Sequence, residues 1–137
     1  MITSGMMSSK TDCWETPQWL FDKYNAIYHF DLDACATADN AKCERFFSPE
    51  QDGLAQEWTG AVWCNPPYGR QIGKWVRKAH DSNAAVVVML LPARTDTAWF
   101  HDFCLRGHVT FLRGRLRFGH STTNAPFPSM IVVFEKQ

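Results

Sequence analysis

Residues 84–91, AAVVVMLL, form a continuous apolar run, and that run limits the folds open to the chain. It falls far short of the roughly 18 apolar residues that span a bilayer. It has the signature of a strand buried on both faces of a parallel sheet. Shorter runs surround it. Residues 61–64 (AVWC) stop at a double proline, residues 129–135 (SMIVVFE) lie near the end, and residues 30–35 (FDLDAC) and 108–113 are further strand candidates. Residues 44–48 suggest one more short strand.

Between these lie helical patterns. Leu20, Tyr24 and Ile27 recur at helical spacing, with Thr16 as cap and Pro17 in the first turn, which predicts a helix over 17–28. Ile72, Trp75, Val76 and Ala79 share one face of a second, over 70–82. A third is expected over 96–106, with Asp96 as its cap. Strands alternating with helices, then two strands joined without one, indicate an α/β fold: a mostly parallel, Rossmann-like sheet with an antiparallel C-terminal strand pair. The chain has 137 residues, the size of one domain. Residues 1–11 are small, polar and unpatterned and read as a mobile tail before a domain over 12–137.

Charge is uneven. The chain is neutral, yet residues 1–60 carry ten acidic and four basic side chains, a net of −6, and residues 61–137 carry the reverse, a net of +6. Such asymmetry suits a protein with one face toward a polyanion, unless folding intermixes the halves. Arg113, Arg115 and Arg117 alternate at the end of a predicted strand, which would set all three on one face, toward a polyanion or to protect a sheet edge. Five cysteines show neither a CxxC pair nor zinc-like spacing with histidine, so reduced thiols in the cytoplasm and no metal are expected. Nothing marks a secretory or membrane segment.

Asn65-Pro66-Pro67-Tyr68 is the most informative tetrapeptide. It directly follows a predicted strand, and open α/β sheets bind ligands at the carboxyl ends of their strands. The exocyclic amine of adenine is a poor nucleophile, because its lone pair is delocalised into the ring. An asparagine oxygen and a nearby backbone carbonyl can accept both amine hydrogens, freeing the lone pair to attack a sulfonium methyl. Pro66 and Pro67 hold that carbonyl in place, and Tyr68 offers a face for an extruded base. The loop would act by positioning and preorganised polarity. A strand-ending turn is the plainer alternative. His101 is read as a surface or core residue, since this chemistry needs no histidine base.

With this loop in view, the sequence resembles the class I S-adenosylmethionine-dependent methyltransferases, and more narrowly the small phage DNA N6-adenine methyltransferases. The resemblance runs from about Trp14 to Phe134. It rests on Trp14-Glu15-Thr16-Pro17, Asp31-Leu32-Asp33-Ala34-Cys35-Ala36, Asp52-Gly53-Leu54, Trp63 to Gly69, Leu91-Pro92-Ala93-Arg94 and Gly114 to Phe118. It implies S-adenosylmethionine as cofactor, with Trp14, Thr16 and Pro17 at its methionine end, Asp33, Ala34 and Cys35 in the loop after the first strand, and Asp52 toward its adenine. It further implies DNA as partner, met by Arg70, Arg94, Arg113, Arg115 and Arg117, and the host cytoplasm as the compartment if the gene is a phage's.

One departure is plain: Ala34, Cys35 and Ala36 stand where such enzymes place a glycine-rich turn, which predicts modest cofactor affinity. The short spacing from Asp33 to Asp52 implies that one strand–helix unit is missing or reduced. Cytosine N4, an RNA base or a protein glutamine are alternative acceptors, and a catalytically inactive nucleic-acid-binding module is the rival from another class. A chain this short has no separate recognition domain, so sequence specificity is expected from a few loop residues or from an oligomer such as a dimer, or is slight.

Overall fold

The computed structural model describes residues 12–136; the tail expected over 1–11 lies outside them. In chain order come α1 (Gln18–Tyr28), β1 (Leu32–Asp33), β2 (Ala61–Cys64), α2 (Ile72–Asp81), β3 (Val86–Pro92), α3 (Ala98–Asp102), β4 (His108–Phe111) and β5 (Ser129–Glu135), with 3₁₀ turns at Gly53–Ala55 and Cys104–Arg106. One sheet runs β1-β2-β3-β5-β4. The first three strands are parallel and the last two antiparallel, as the order of elements predicts.

The apolar run becomes β3, buried at all seven positions between β2 and β5. Sheet neighbours on both sides satisfy the backbone of this strand, and cover on both faces of the sheet buries its side chains. Against this sheet α2 buries Ile72, Trp75, Val76 and Ala79, the four predicted from their spacing. Helix α1 buries Leu20 and Phe21, and Phe21 stands edge-on to Trp63 of β2 at 5.5 Å between ring centres.

Several boundaries differ from expectation for local reasons. Thr16 is not the cap of α1: Pro17 takes that position without a side-chain bond, and the Thr16 hydroxyl is buried elsewhere. Asp96 is not a cap either, because Thr97 accepts from the Phe100 N–H at 3.3 Å. The third helix stops at Asp102 and resumes as a 3₁₀ turn.

β1 is only two residues long, although Asp31 and Ala34 extend its hydrogen bonding to β2. The chain is then diverted by the Asp33 carboxylate, which accepts from Cys35 N (3.4 Å) and Lys42 N (3.1 Å). The strand expected over 44–48 survives as a single parallel bridge between Phe46 and Asp33, so that unit is reduced to a remnant at the sheet edge.

The three arginines do not share a strand. β4 ends at Phe111, and Gly114, with φ of +73°, turns the chain in the left-handed region that glycine adopts freely. Beyond the turn Arg115 and Arg117 are exposed while Leu116 and Phe118 are buried, an alternation that Arg113 does not share.

Gly53 packs its backbone against the segment that leaves β1. A Cβ there would collide with the Ala34 carbonyl oxygen and meet the Trp75 ring at 3.0 Å. Backbone on one side and a buried indole on the other leave little room to relax. Gly53→Ala is expected to lower unfolding free energy by about 1–3 kcal/mol, read as a reduced urea midpoint; an unchanged midpoint would show that this contact yields easily.

Candidate active site

Asn65 follows directly on β2, at the carboxyl edge of the parallel strands. Its side-chain amide donates to the Trp14 carbonyl and, at 3.0 Å, to the Thr16 hydroxyl oxygen. A carbonyl only accepts, so the Trp14 contact fixes which end of the amide is nitrogen. Both amide protons are thereby used. The opposite atom, Oδ1, is buried and has no hydrogen-bond partner among the described residues. A buried side-chain acceptor left open is unusual in a folded protein and points to a missing donor.

The rest of the loop is anchored as firmly. The Tyr68 N–H donates to the Asp12 carbonyl at 2.7 Å. Its hydroxyl donates to the Leu90 carbonyl of β3 at 2.9 Å, and burial pushes the phenol well above its ordinary pKa, so it stays a donor. Thr16 accepts a second bond from the Trp63 indole at 3.3 Å, which uses both hydroxyl lone pairs. The segment 12–16 is therefore the frame on which the Asn-Pro-Pro-Tyr loop is held. The Pro66 carbonyl takes no hydrogen bond among the described residues.

Two cavities meet at this edge. One of about 570 Å³ is lined by Trp14, Thr16, Asp33, Cys35, Asn65 and Pro67 among others. The second, about 270 Å³, is lined by Phe47, Pro49, Asp52, Gly53, Pro67 and Arg70 among others. Cys35, Pro49 and Pro67 border both, so the two form one cleft across the ends of β1 and β2. Five of the seven residues expected around a cofactor line it: Trp14, Thr16, Asp33, Cys35 and Asp52. Pro17 and Ala34 lie buried beneath that surface, as do Pro66 and Tyr68.

Asp52 also makes the turn its sequence suggests, accepting from Leu54 N at 3.2 Å with φ of +56°. Desolvation pushes the Asp33 carboxyl up to about 6, against the opposing pull of the Lys42 and Cys35 N–H bonds. Burial first, and then the Asp33 charge, push the Cys35 thiol up to about 12, so it lines the cleft as an uncharged, unreactive group.

An aromatic cluster flanks the loop. Phe118 and Phe127 stand edge-on to Tyr68 at 6.3 and 5.7 Å, and Trp14 touches both at 5.4 and 5.1 Å. Sequence reasoning passed over Phe127, because an aromatic in an irregular loop has no periodicity to mark it. The expected DNA contacts divide. Arg70 borders the smaller cavity, and Arg94 follows β3 close enough for its charge to act on Tyr68. Arg113, Arg115 and Arg117 border a separate depression despite leaving the strand.

Two outcomes follow from this geometry. Thr16→Val keeps the shape but leaves the Trp63 indole and one Asn65 proton unpaired, at a cost of about 1–3 kcal/mol, whereas Thr16→Ser should restore most of it; equal urea midpoints for the two variants would contradict the assignment. For Asp33, the folded chain keeps its proton between about pH 4 and 6 while the unfolded chain has lost it. Stability should therefore fall as pH rises through that window and level off above it, by up to about 3 kcal/mol. Asp33→Asn should remove that slope in denaturation curves taken across the window.

Residues 3–136 match the family described as DNA N-6-adenine-methyltransferase (Dam). The DNA N-6-adenine-methyltransferase of Haemophilus phage HP1 (strain HP1c1) is 35% identical over 148 residues, covering 98% of this chain and 85% of that protein. The protein of the same name from Escherichia phage T1 is 38% identical over 97 residues, 66% of this chain and 40% of that one. With nearly its whole described length matched, the chain belongs to the DNA N-6-adenine-methyltransferase (Dam) family.

Proposed function

We propose that this chain transfers a methyl group from S-adenosylmethionine to the N6 amine of adenine in DNA, with Asn65 as the residue that touches the reacting amine. The observation that carries this reading is the buried, unpartnered Asn65 Oδ1 at the edge of the cleft. Its orientation is set by bonds to Trp14 and Thr16 rather than by the substrate, so it costs no reorganisation when the amine arrives. The Pro66 carbonyl is the natural second acceptor, since among the described residues it too takes no internal hydrogen bond. With both amine hydrogens held, the nitrogen lone pair is released from the ring.

The cleft suits the cofactor by its chemistry. Asp33 offers the only buried carboxylate along its wall, and the Asp52 carboxylate stands in the smaller cavity at the other end. Trp14, Thr16 and Cys35 supply the surface between. Bound there, S-adenosylmethionine supplies an electrophilic methyl group. Tyr68 is 5% exposed beneath Phe118 and Phe127, so a base that stacks on it must displace the half-buried Phe127 side chain. Arg113, Arg115 and Arg117, with Arg70 and Arg94 nearer the loop, are the contacts to DNA phosphate in this reading.

The test is transfer of labelled methyl from S-adenosylmethionine to unmodified DNA, followed by nucleoside analysis. Label should appear as N6-methyldeoxyadenosine. Asn65→Ala should lower kcat by about 10²–10³ while cofactor affinity stays within a few-fold. Label on another base, or an Asn65→Ala variant as active as the parent, would refute the assignment.

A further inference from the structure

Helix α1 adds two side chains to the arginine surface that the proposed reaction does not use. A depression of about 420 Å³ is bordered by Trp19 and Lys23 from α1, by Arg113, Arg115 and Arg117, and by Asn124. Trp19 is 60% exposed, one of the largest apolar groups left in water. Among the described residues, none of the four cations has a carboxylate within 4 Å, as the ion pairs there are confined to Arg77, His80 and Asp81. Four unpaired cations around one concavity create a field that favours a polyanion.

The depression also leads to the cleft. Arg117 donates to Asn124 at 3.2 Å, and Asn124 borders a further hollow formed with Trp14, Phe118 and His120. Trp14 and His120 in turn border the cavity that contains Asn65. A continuous surface therefore runs from Trp19 to the catalytic loop.

We infer that this surface binds an unpaired stretch of the DNA strand beside the target adenine, with its phosphates on Lys23, Arg113, Arg115 and Arg117 and one base stacked on Trp19. The inference rests on the DNA reading above and narrows its substrate to DNA with unpaired nucleotides flanking the target. Cations alone serve duplex and single strand alike. An exposed indole discriminates, because a base offers its face only when it has left the duplex stack, and stacking of this kind tolerates any base.

Binding is read by fluorescence anisotropy with a labelled single-stranded thymidine 12-mer and with a hairpin duplex of G·C pairs. Neither offers a target adenine, so the outcome is independent of methyl transfer. The parent chain should prefer the single strand. Trp19→Ala should weaken single-strand binding by about 5- to 100-fold and duplex binding by less than about twofold, and Trp19→Phe should retain most of the affinity. Arg115→Ala and Arg117→Ala should each reduce the salt dependence of single-strand binding by about 0.7 in log–log slope. Unchanged single-strand affinity in Trp19→Ala, equal losses on both ligands, or a change in sedimentation that marks Trp19 as a contact between copies would each overturn the inference. Failure of the methylation reading looks different: single-strand binding stays intact and no label reaches adenine.

Discussion

The architecture of the cleft depends on a pair of hydrogen bonds made by one amide group. Asn65 gives both its protons to residues 14 and 16, which precede the first helix, and keeps its oxygen open. An asparagine at the end of a strand would ordinarily rotate to satisfy itself with local backbone. Here rotation would set the amide oxygen against the Trp14 carbonyl, two acceptors facing each other without a proton between them. The orientation is thus enforced by repulsion in the alternative state as well as by bonding in the observed one. Because Thr16 also holds the Trp63 indole, the same hydroxyl couples the loop to the aromatic layer under α1.

The turn after β1 is packed by the facing turn. Ala34, Cys35 and Ala36 stand where glycines were expected, and Gly53 approaches from across the gap against the Ala34 carbonyl. Close packing of two backbones requires a missing side chain on one partner only. The consequence for the cleft is that Cys35, rather than bare backbone, forms the wall shared by its two cavities. Its thiol is held neutral by burial, so it contributes shape without charge.

How much was legible in the sequence follows from which forces act locally. The β3 run, the amphipathic face of α2 and the Asn-Pro-Pro-Tyr stop after β2 could all be read, because each is a pattern within one element. The antiparallel end was legible too, since parallel neighbours take a crossover connection, most often a helix, and no helical pattern separates these two strands. Thr16 was misread as a helix cap because a cap and a buried hydroxyl look identical in sequence; only Asn65, 49 residues away, distinguishes them. Asp96 and Thr97 failed similarly, two adjacent capping residues competing for one helix end. The arginine face was right in grouping and wrong in means. Gly114 ends the alternation after Arg113, yet the turn brings the three side chains back around one depression.

The same turn decides the shape of the sheet edge. β4 is the outer strand beside β5, with three of its four positions exposed. Had the strand continued through residue 117, the arginines would line a flat edge, spaced along it and facing solvent. The turn at Gly114 instead folds the chain back toward α1, where Leu116 and Phe118 are buried and Arg115 and Arg117 are left outside. Burial of two apolar side chains, each contributing about 1.5–3 kcal/mol, thus offsets the cost of holding like charges near one another. Concavity follows, and a concave basic surface concentrates its field where a flat one disperses it. The same anchoring sets Phe118 beside Tyr68, so the fold that gathers the charges also builds the wall of the Asn-Pro-Pro-Tyr loop.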